Sequence, residues 1–209
     1  MESSFPWLLA AVVGFSHAFE ADHLVAVGSI VTRRDRWVLA LKDGIYWGLG
    51  HSSTILLIGL LMIVARATFL EAYFGFFEAL VGLMLIALGF FRLYRRGRGG
   101  AEEVPLAEQE GQHHLAYGVG LLHGLAGSGA LVLLVMADWA GTWASMGYLL
   151  VFGAGSVVGM LVAAGIFGLP FCRRWTVGGW WSGGLVWLSS LLCMGYGGYL
   201  FISQVQQFY

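Results

Sequence analysis

Long apolar runs separated by short polar connections dominate the chain. Six of them are long enough to cross a bilayer, near 5–31, 43–65, 69–91, 115–136, 143–169 and 180–202, because a spanning helix needs roughly 20 largely apolar residues. Backbone donors in hydrocarbon cannot turn to water, so runs of this length are predicted to be helices. The one long polar segment, 92–114, carries Arg92, Arg95, Arg96 and Arg98, then Glu102, Glu103, Glu108 and Glu110. With Gly97, Gly99, Gly100 and Pro105 among them, it reads as a flexible loop. It divides a single transmembrane domain, 1–209, into a first half, 1–91, and a second half, 115–209. No basic residue precedes the first apolar run, and that run is too long for a secretory signal, so it is predicted to be a permanent helix.

Charge fixes the orientation. The connections after the first, third and fifth runs hold Arg33, Arg34, Arg36 and Lys42, then the four arginines just named, then Arg173 and Arg174. The opposite side has only Arg66. Basic residues stay on the cytoplasmic side, so these three connections are predicted to be cytoplasmic and both termini extracytoplasmic. Composition agrees. The chain is 58% hydrophobic and 11% charged, with a mean hydropathy of +0.77, whereas a soluble domain carries about 25% charged residues. The bilayer is therefore the first expected partner, and the cytoplasmic (inner) membrane the expected location. A net charge of −1 singles out no charged macromolecule, and no nucleic-acid partner is expected. The 32 glycines recur at four-residue spacing, as in Gly44/Gly48, Gly120/Gly124, Gly155/Gly159 and Gly179/Gly183, which lets helices pack closely in lipid. Cys172 and Cys193 form no metal-ligand spacing and read as packing residues.

Three helices per half would make the halves antiparallel, the 3+3 inverted repeat of many transporters. Gly14-Phe15-Ser16-His17 aligns with Gly120-Leu121-Leu122-His123, and Leu49-Gly50-His51-Ser52-Ser53 with Phe152-Gly153-Ala154-Gly155-Ser156. The fold class expected is thus an all-α membrane protein with six transmembrane helices, with His17 and His123 at equivalent positions.

Ionisable groups in hydrocarbon are costly and mark function. His17, His23, His51 and His123 fall inside apolar runs, as do Glu20, Asp22 and Glu78, while no Lys or Arg lies well inside one. Buried carboxylates without basic partners seek another cation. Imidazole with carboxylate, and no thiolate, suits borderline divalent metals. At 100° per residue His17, Glu20 and His23 spread over a 120° arc with Asp22 outside it, a geometry that follows from the helical repeat. A straight helix cannot gather them on one ion with ligand bonds of roughly 2 Å. The first helix must bend, or other helices must contribute. His23, His51 and His123 each lie about eight residues from a cytoplasmic helix end, so at ~1.5 Å per residue all three are at one depth, roughly 12 Å in. The metal candidates are therefore His17, Asp22, His23, His51 and His123. Glu20, Glu78, Ser52 and Ser128 are additional candidates, the serines as groups that orient ligands. Ser52, Ser53 and Ser128 serve equally well as interhelical hydrogen bonders, and His113 and His114 read as part of a solvated linker.

His17-x4-Asp22-His23, within Gly14-Phe-Ser-His-Ala-Phe-Glu-Ala-Asp-His-Leu24, resembles the signature of the nickel/cobalt transporter superfamily, His-Ala-x-Asp/Glu-Ala-Asp-His-Ile/Leu. Leu49-Gly50-His51-Ser52-Ser53-Thr54 resembles that family's second motif, Leu-Gly-His-Ser-Thr. The eight helices and later acidic motifs of larger members are missing. The stretch His123-Gly-Leu-Ala-Gly-Ser128-Gly129 is similar to the short, urease-accessory-type nickel permeases. The resemblance implies transport, most simply uptake, of Ni²⁺ or Co²⁺ as substrate, with His17, Asp22, His23 and His51 in metal recognition. It implies no enzyme activity and no bound cofactor. A second copy of the chain and a cytoplasmic nickel acceptor are candidate partners. Two alternatives stay open: nickel or cobalt efflux, and an accessory protein that delivers nickel without transporting it. An intramembrane metalloenzyme fits less well, because a zinc protease would want His-Glu-x-x-His.

Overall fold

The computed structural model describes residues 5–31, 34, 36–64, 72–97, 113–138, 142–169 and 179–206. Within these, the side chains of residues 5–6, 64, 127–138, 142 and 179–182 are not described. Glu71, Arg66, Cys172, Arg173, Arg174, the side chain of Ser128 and most of the 92–114 segment thus lie outside the described residues.

Every described element is helical: α1 (Phe5–His17), α2 (Ala21–Val31), α3 (Trp37–Val64), α4 (Phe74–Gly97), α5 (His113–Asp138), α6 (Thr142–Gly168) and α7 (Gly179–Val205). Four of these, α3, α4, α6 and α7, are long and apolar enough to cross a membrane. Taken together, α1 and α2 are also long and apolar enough, as a pair bent by 57° at the break, a broken span or a re-entrant loop. A bend, one of the two ways the ligand spacing left open, is present at Ala18–Glu20. There the amides of Phe19 and Glu20 turn back to Ser16 O (2.9 Å) and His17 O (3.1 Å), while Leu24 N–H reaches Glu20 O (2.9 Å) to start α2. Glu20 and Asp22 stand at the N-terminus of α2, where the helix dipole favours negative charge. Irregular backbone is tolerated at such depth only when protein surrounds it, and Ala18 is fully buried.

Helix α3 lies between α5 and α6, α1 packs on α6, and α4 packs on α7. Glycine makes the closest of these approaches, and the contacts come in reciprocal pairs. A Cβ on Gly14 would strike the carbonyl of Phe152, and one on Gly120 the carbonyl of Trp47. A Cβ on Gly50 would strike the carbonyl of Tyr117, and one on Gly155 that of Ala11. Between α4 and α7, Gly82 and Gly197 face each other's carbonyls. Small polar side chains add interhelical bonds, Ser52 to Gly153 O (3.0 Å), Thr54 to Leu121 O (2.9 Å) and Ser156 to Gly14 O (3.0 Å), as lipid-buried interfaces favour. The outer faces carry exposed Phe90 on α4 and Leu188, Leu191, Leu192 and Ile202 on α7, an apolar surface suited to lipid and not to water.

Two sequence expectations change here. Helix α4 continues to Gly97, so Arg92 is not a loop residue. It is buried and donates to Ser189 Oγ (2.9 Å) and to Gly28 O (3.5 Å), a position at the C-terminal end of α2 that suits a cation. His113 opens α5 and is buried, not a solvated linker residue. His114 beside it is exposed.

Candidate metal centre

The break between α1 and α2 brings His17, at the end of one helix, against His23, in the first turn of the other. Their ring centroids are 4.5 Å apart. From α3, His51 closes on both, at 5.2 Å from His17 and 5.1 Å from His23. From α5, His123 meets His23 at 4.3 Å. His23, His51 and His123 are fully buried and His17 nearly so. One ring nitrogen from each of His17, His23 and His51 lies within 4.8 Å of the other two. Two ligands of one ion with bonds of roughly 2.1 Å are at most about 4.2 Å apart, so the three rings would have to draw together to hold a metal.

The carboxylates stand behind the imidazoles. Asp22 accepts from His23 Nδ1 (2.9 Å) through one oxygen and from His123 Nε2 (2.9 Å) through the other. Glu20 pairs with His17 Nδ1 (2.8 Å) and is itself largely exposed. Carboxylate–histidine pairs of this kind fix ring orientation and raise ligand basicity. A nitrogen that donates to a carboxylate leaves its partner across the ring with a free lone pair. Those outward nitrogens, Nε2 of His17 and His23 and Nδ1 of His123, are buried without a hydrogen-bond partner, as are both nitrogens of His51, one of which carries the ring proton. Each such orphan costs on the order of 1–3 kcal/mol. Five in one cluster make a group of imidazole nitrogens that could hold a metal ion. Asp22, His23 and His123 form a second group with ligand atoms within 4.8 Å of one another, in which the carboxylate is already hydrogen-bonded to both rings.

The remaining candidates stand apart. Glu78 on α4 accepts from Gln204 on α7, Ser52 is committed to Gly153 and Ser53 to Leu49 O within its own helix (2.7 Å). The side chain of Ser128 lies outside the described residues. Two features escaped the sequence reading. Trp47, one turn before His51, is buried with its indole 5.6 Å from His23 and 5.9 Å from His123. Further along α3, buried Asp43 accepts from Arg34 Nε (2.5 Å) and Nη2 (2.7 Å) and from His113 Nδ1 (2.7 Å). Only the spacing Asp43–Trp47–His51, one helical face, hinted at either.

No family model matches the chain, and no solved structure matches it. Two named proteins do. The urease accessory protein UreH of Bacillus sp. (strain TB-90) is 32% identical over 173 residues, covering 78% of this chain and 76% of that one. The high-affinity nickel transport protein of Cupriavidus necator is 34% identical over 90 residues, 41% of this chain and 25% of that one, so the match spans about a quarter of the nickel transporter's length. With its membrane helices, its two motifs and a UreH relative aligned along three quarters of both chains, the chain belongs to the nickel/cobalt transporter family.

Proposed function

We propose that the chain takes up Ni²⁺, or Co²⁺, across the cytoplasmic membrane through the histidine cluster at the α1–α2 break. The observation that carries this reading is the set of buried ring nitrogens without partners at a broken helix. His17, His23 and His51 bind the ion through their free nitrogens. Asp22 and His123 complete the set or, from one step behind, neutralise and orient it. Three imidazoles favour Ni²⁺, Co²⁺ and Zn²⁺ over Mg²⁺ and Ca²⁺, which seek oxygen. The break contributes as well, because the C-terminal end of α1 points its partial negative charge at the cation. The kinship with a high-affinity nickel transport protein supports nickel as the substrate.

On this reading α5, 26 residues long, is the sixth span, and both termini are extracytoplasmic. The reciprocal contacts support a 3+3 inverted repeat. One displacement along the chain relates Gly14 to Gly120, Ala11 to Tyr117 and His17 to His123, and another relates Gly50 to Gly155, Trp47 to Phe152 and His51 to Ser156. The second motif is thus two residues out of the register that sequence alignment suggested.

Reconstitution into liposomes tests the function. The purified chain is expected to move Ni²⁺, with Co²⁺ and Zn²⁺ as competitors, and His17→Ala or His51→Ala to abolish movement without lowering membrane abundance. Normal flux in either variant would sink the site assignment. A second reading, delivery of nickel without transport, draws on the urease accessory protein among the relatives. It requires that the chain alone bind Ni²⁺ and move none. Efflux differs only in direction, and a deletion strain separates it: nickel starvation marks uptake, nickel sensitivity marks export.

A further inference from the structure

We propose that α2 is the element that moves to release the ion, and that Arg34, Asp43 and His113 form the latch holding it closed on the cytoplasmic side. This rests on the transport reading and orientation above and adds which part moves and what restrains it.

Among the described residues α2 is buried along much of its length but is the exception in how closely its glycine packs. Each of the other six helices is joined to a neighbour by a glycine that leaves no room for a Cβ against backbone. The glycine of α2, Gly28, would place a Cβ in ordinary contact, 3.8 Å from Phe167 Cδ1. The polar ties of α2 to the bundle include side-chain contacts, Arg92 to Gly28 O at 3.5 Å and Ser29 with Cys193. The corresponding stretch of α5 runs on as unbroken helix to Asp138, so the hinge at Ala18–Glu20 belongs to the first half alone. Hinges of a few residues at the end of an element are how such motions are absorbed.

The other end of α2 is tethered. Arg34 follows α2 closely, its N–H bonded to Val31 O (3.0 Å). Its guanidinium forks onto both oxygens of Asp43, and His113 takes the remaining capacity of one of them. Tyr46 stacks on the His113 ring at 5.2 Å and 16°. The anchor is thus the α3–α5 pair, which the contacts of Gly50 and Gly120 hold together. Arg34, Asp43 and His113 are 4%, 1% and 8% exposed, so the bond is sheltered from solvent. A buried ion pair is weak evidence for stability and better attested as a device that fixes one arrangement over another. Between latch and ion lies Trp47, one turn from each, whose buried indole N–H has no hydrogen-bond partner. From His51 to Asp43 is about 12 Å at ~1.5 Å per residue, with Trp47 midway, and α3 continues beyond Asp43 to Trp37. If Arg34 lets go, the end of α2 can swing, taking His23 and Asp22 from His51 and His123.

The test separates access from binding. In a chain with Cys172 and Cys193 replaced by serine, Val27→Cys places a thiol on the buried face of α2. Its labelling by a membrane-impermeant maleimide is followed in inverted membrane vesicles, which present the cytoplasmic side. Adding Arg34→Ala is expected to raise the labelling rate at least about tenfold, the effect of a modest shift toward the open state. Arg34→Lys, which keeps charge but loses the fork, should fall between. Ni²⁺ affinity of the detergent-purified Arg34→Ala chain should stay within about threefold of the parent, since Arg34 touches no member of the histidine cluster, and a change under one kcal/mol is what distant sites show. Unchanged labelling with Ni²⁺ binding intact overturns the latch, as does loss of Ni²⁺ binding in Arg34→Ala. Should Arg34→Ala fail to reach the membrane, Asp43→Asn keeps the volume and removes the charge, and the same two outcomes apply. A parent chain that binds no Ni²⁺ refutes the transport reading instead, whatever the labelling shows.

Discussion

Asp22 serves two imidazoles at once, and that double duty makes a sharp prediction at the scale of a single residue. Its two oxygens accept from His23 and from His123, which fixes both rings and leaves His23 Nε2 free to bind metal. Asparagine has nearly the same shape but offers one acceptor and one donor. One histidine would keep its partner, while the other would face an N–H and have to turn over its tautomer. Asp22→Asn is therefore expected to weaken Ni²⁺ binding about 10–100-fold, the usual effect of losing a group that orients a ligand, with membrane abundance unchanged. Equilibrium dialysis against radiolabelled nickel measures this, and full affinity would show that Asp22 neither binds nor orients. His51 contrasts with it. Neither of its ring nitrogens has a partner in the protein, so His51→Gln should leave no group stranded, losing transport while keeping its melting temperature in detergent.

At the scale of the element, the packing of α3 on α5 depends on glycines whose places an alanine methyl cannot share. Gly120→Ala would drive a methyl into the carbonyl of Trp47, displacing the segment of α3 that carries Trp47 and His51. Overpacking of this kind costs about 1–3 kcal/mol, and should lower both the melting temperature and the Ni²⁺ affinity. Gly118→Ala is the control. A Cβ there meets nothing within 4 Å, and alanine in a helix is favoured over glycine by roughly 0.5–1 kcal/mol, so its melting temperature should hold or rise. Equal behaviour of the two variants would disprove the role given to close approach. The bend between α1 and α2 was legible only as one of two options, because a straight helix cannot gather His17, Asp22 and His23 on one ion, which leaves either a bend or ligands from other helices. The three rings of His23, His51 and His123 do come together, although α3 begins at Trp37 and α5 at His113, so their distances from the helix ends are unequal. The Asp43–His113 and Arg92–Ser189 pairs were not legible. Counting basic residues per connection treats Arg34 and Arg92 as solvated, and nothing local says that a guanidinium finds its partner on another helix. Nor does spacing distinguish a carboxylate that binds metal from one, like Glu20, that stands behind a histidine.

At the scale of the molecule, the reciprocal helix contacts set two halves against each other that differ in chemistry. His17 has His123 as its counterpart, but His51 answers to Ser156 and Asp22 to Ser128. On the proposed inverted repeat, the second half would be a scaffold lending one histidine to a centre built by the first. A duplicated frame with one working copy should hold a single ion per chain, so Ni²⁺ titration of the purified chain is expected to saturate at one equivalent. Two equivalents would mean that His123 belongs to a site of its own. The same titration carries a signature of ligand type. Metal and proton compete for each imidazole lone pair, so binding must weaken as pH falls and must release protons under acid conditions. Proton release is measured directly in weakly buffered solution, and comparing His17→Ala, His51→Ala and His123→Ala shows which rings surrender protons to the ion. A ring that binds metal removes its share of the release when replaced. If His123→Ala leaves proton release and stoichiometry untouched while lowering affinity, His123 acts through Asp22 and not on the ion.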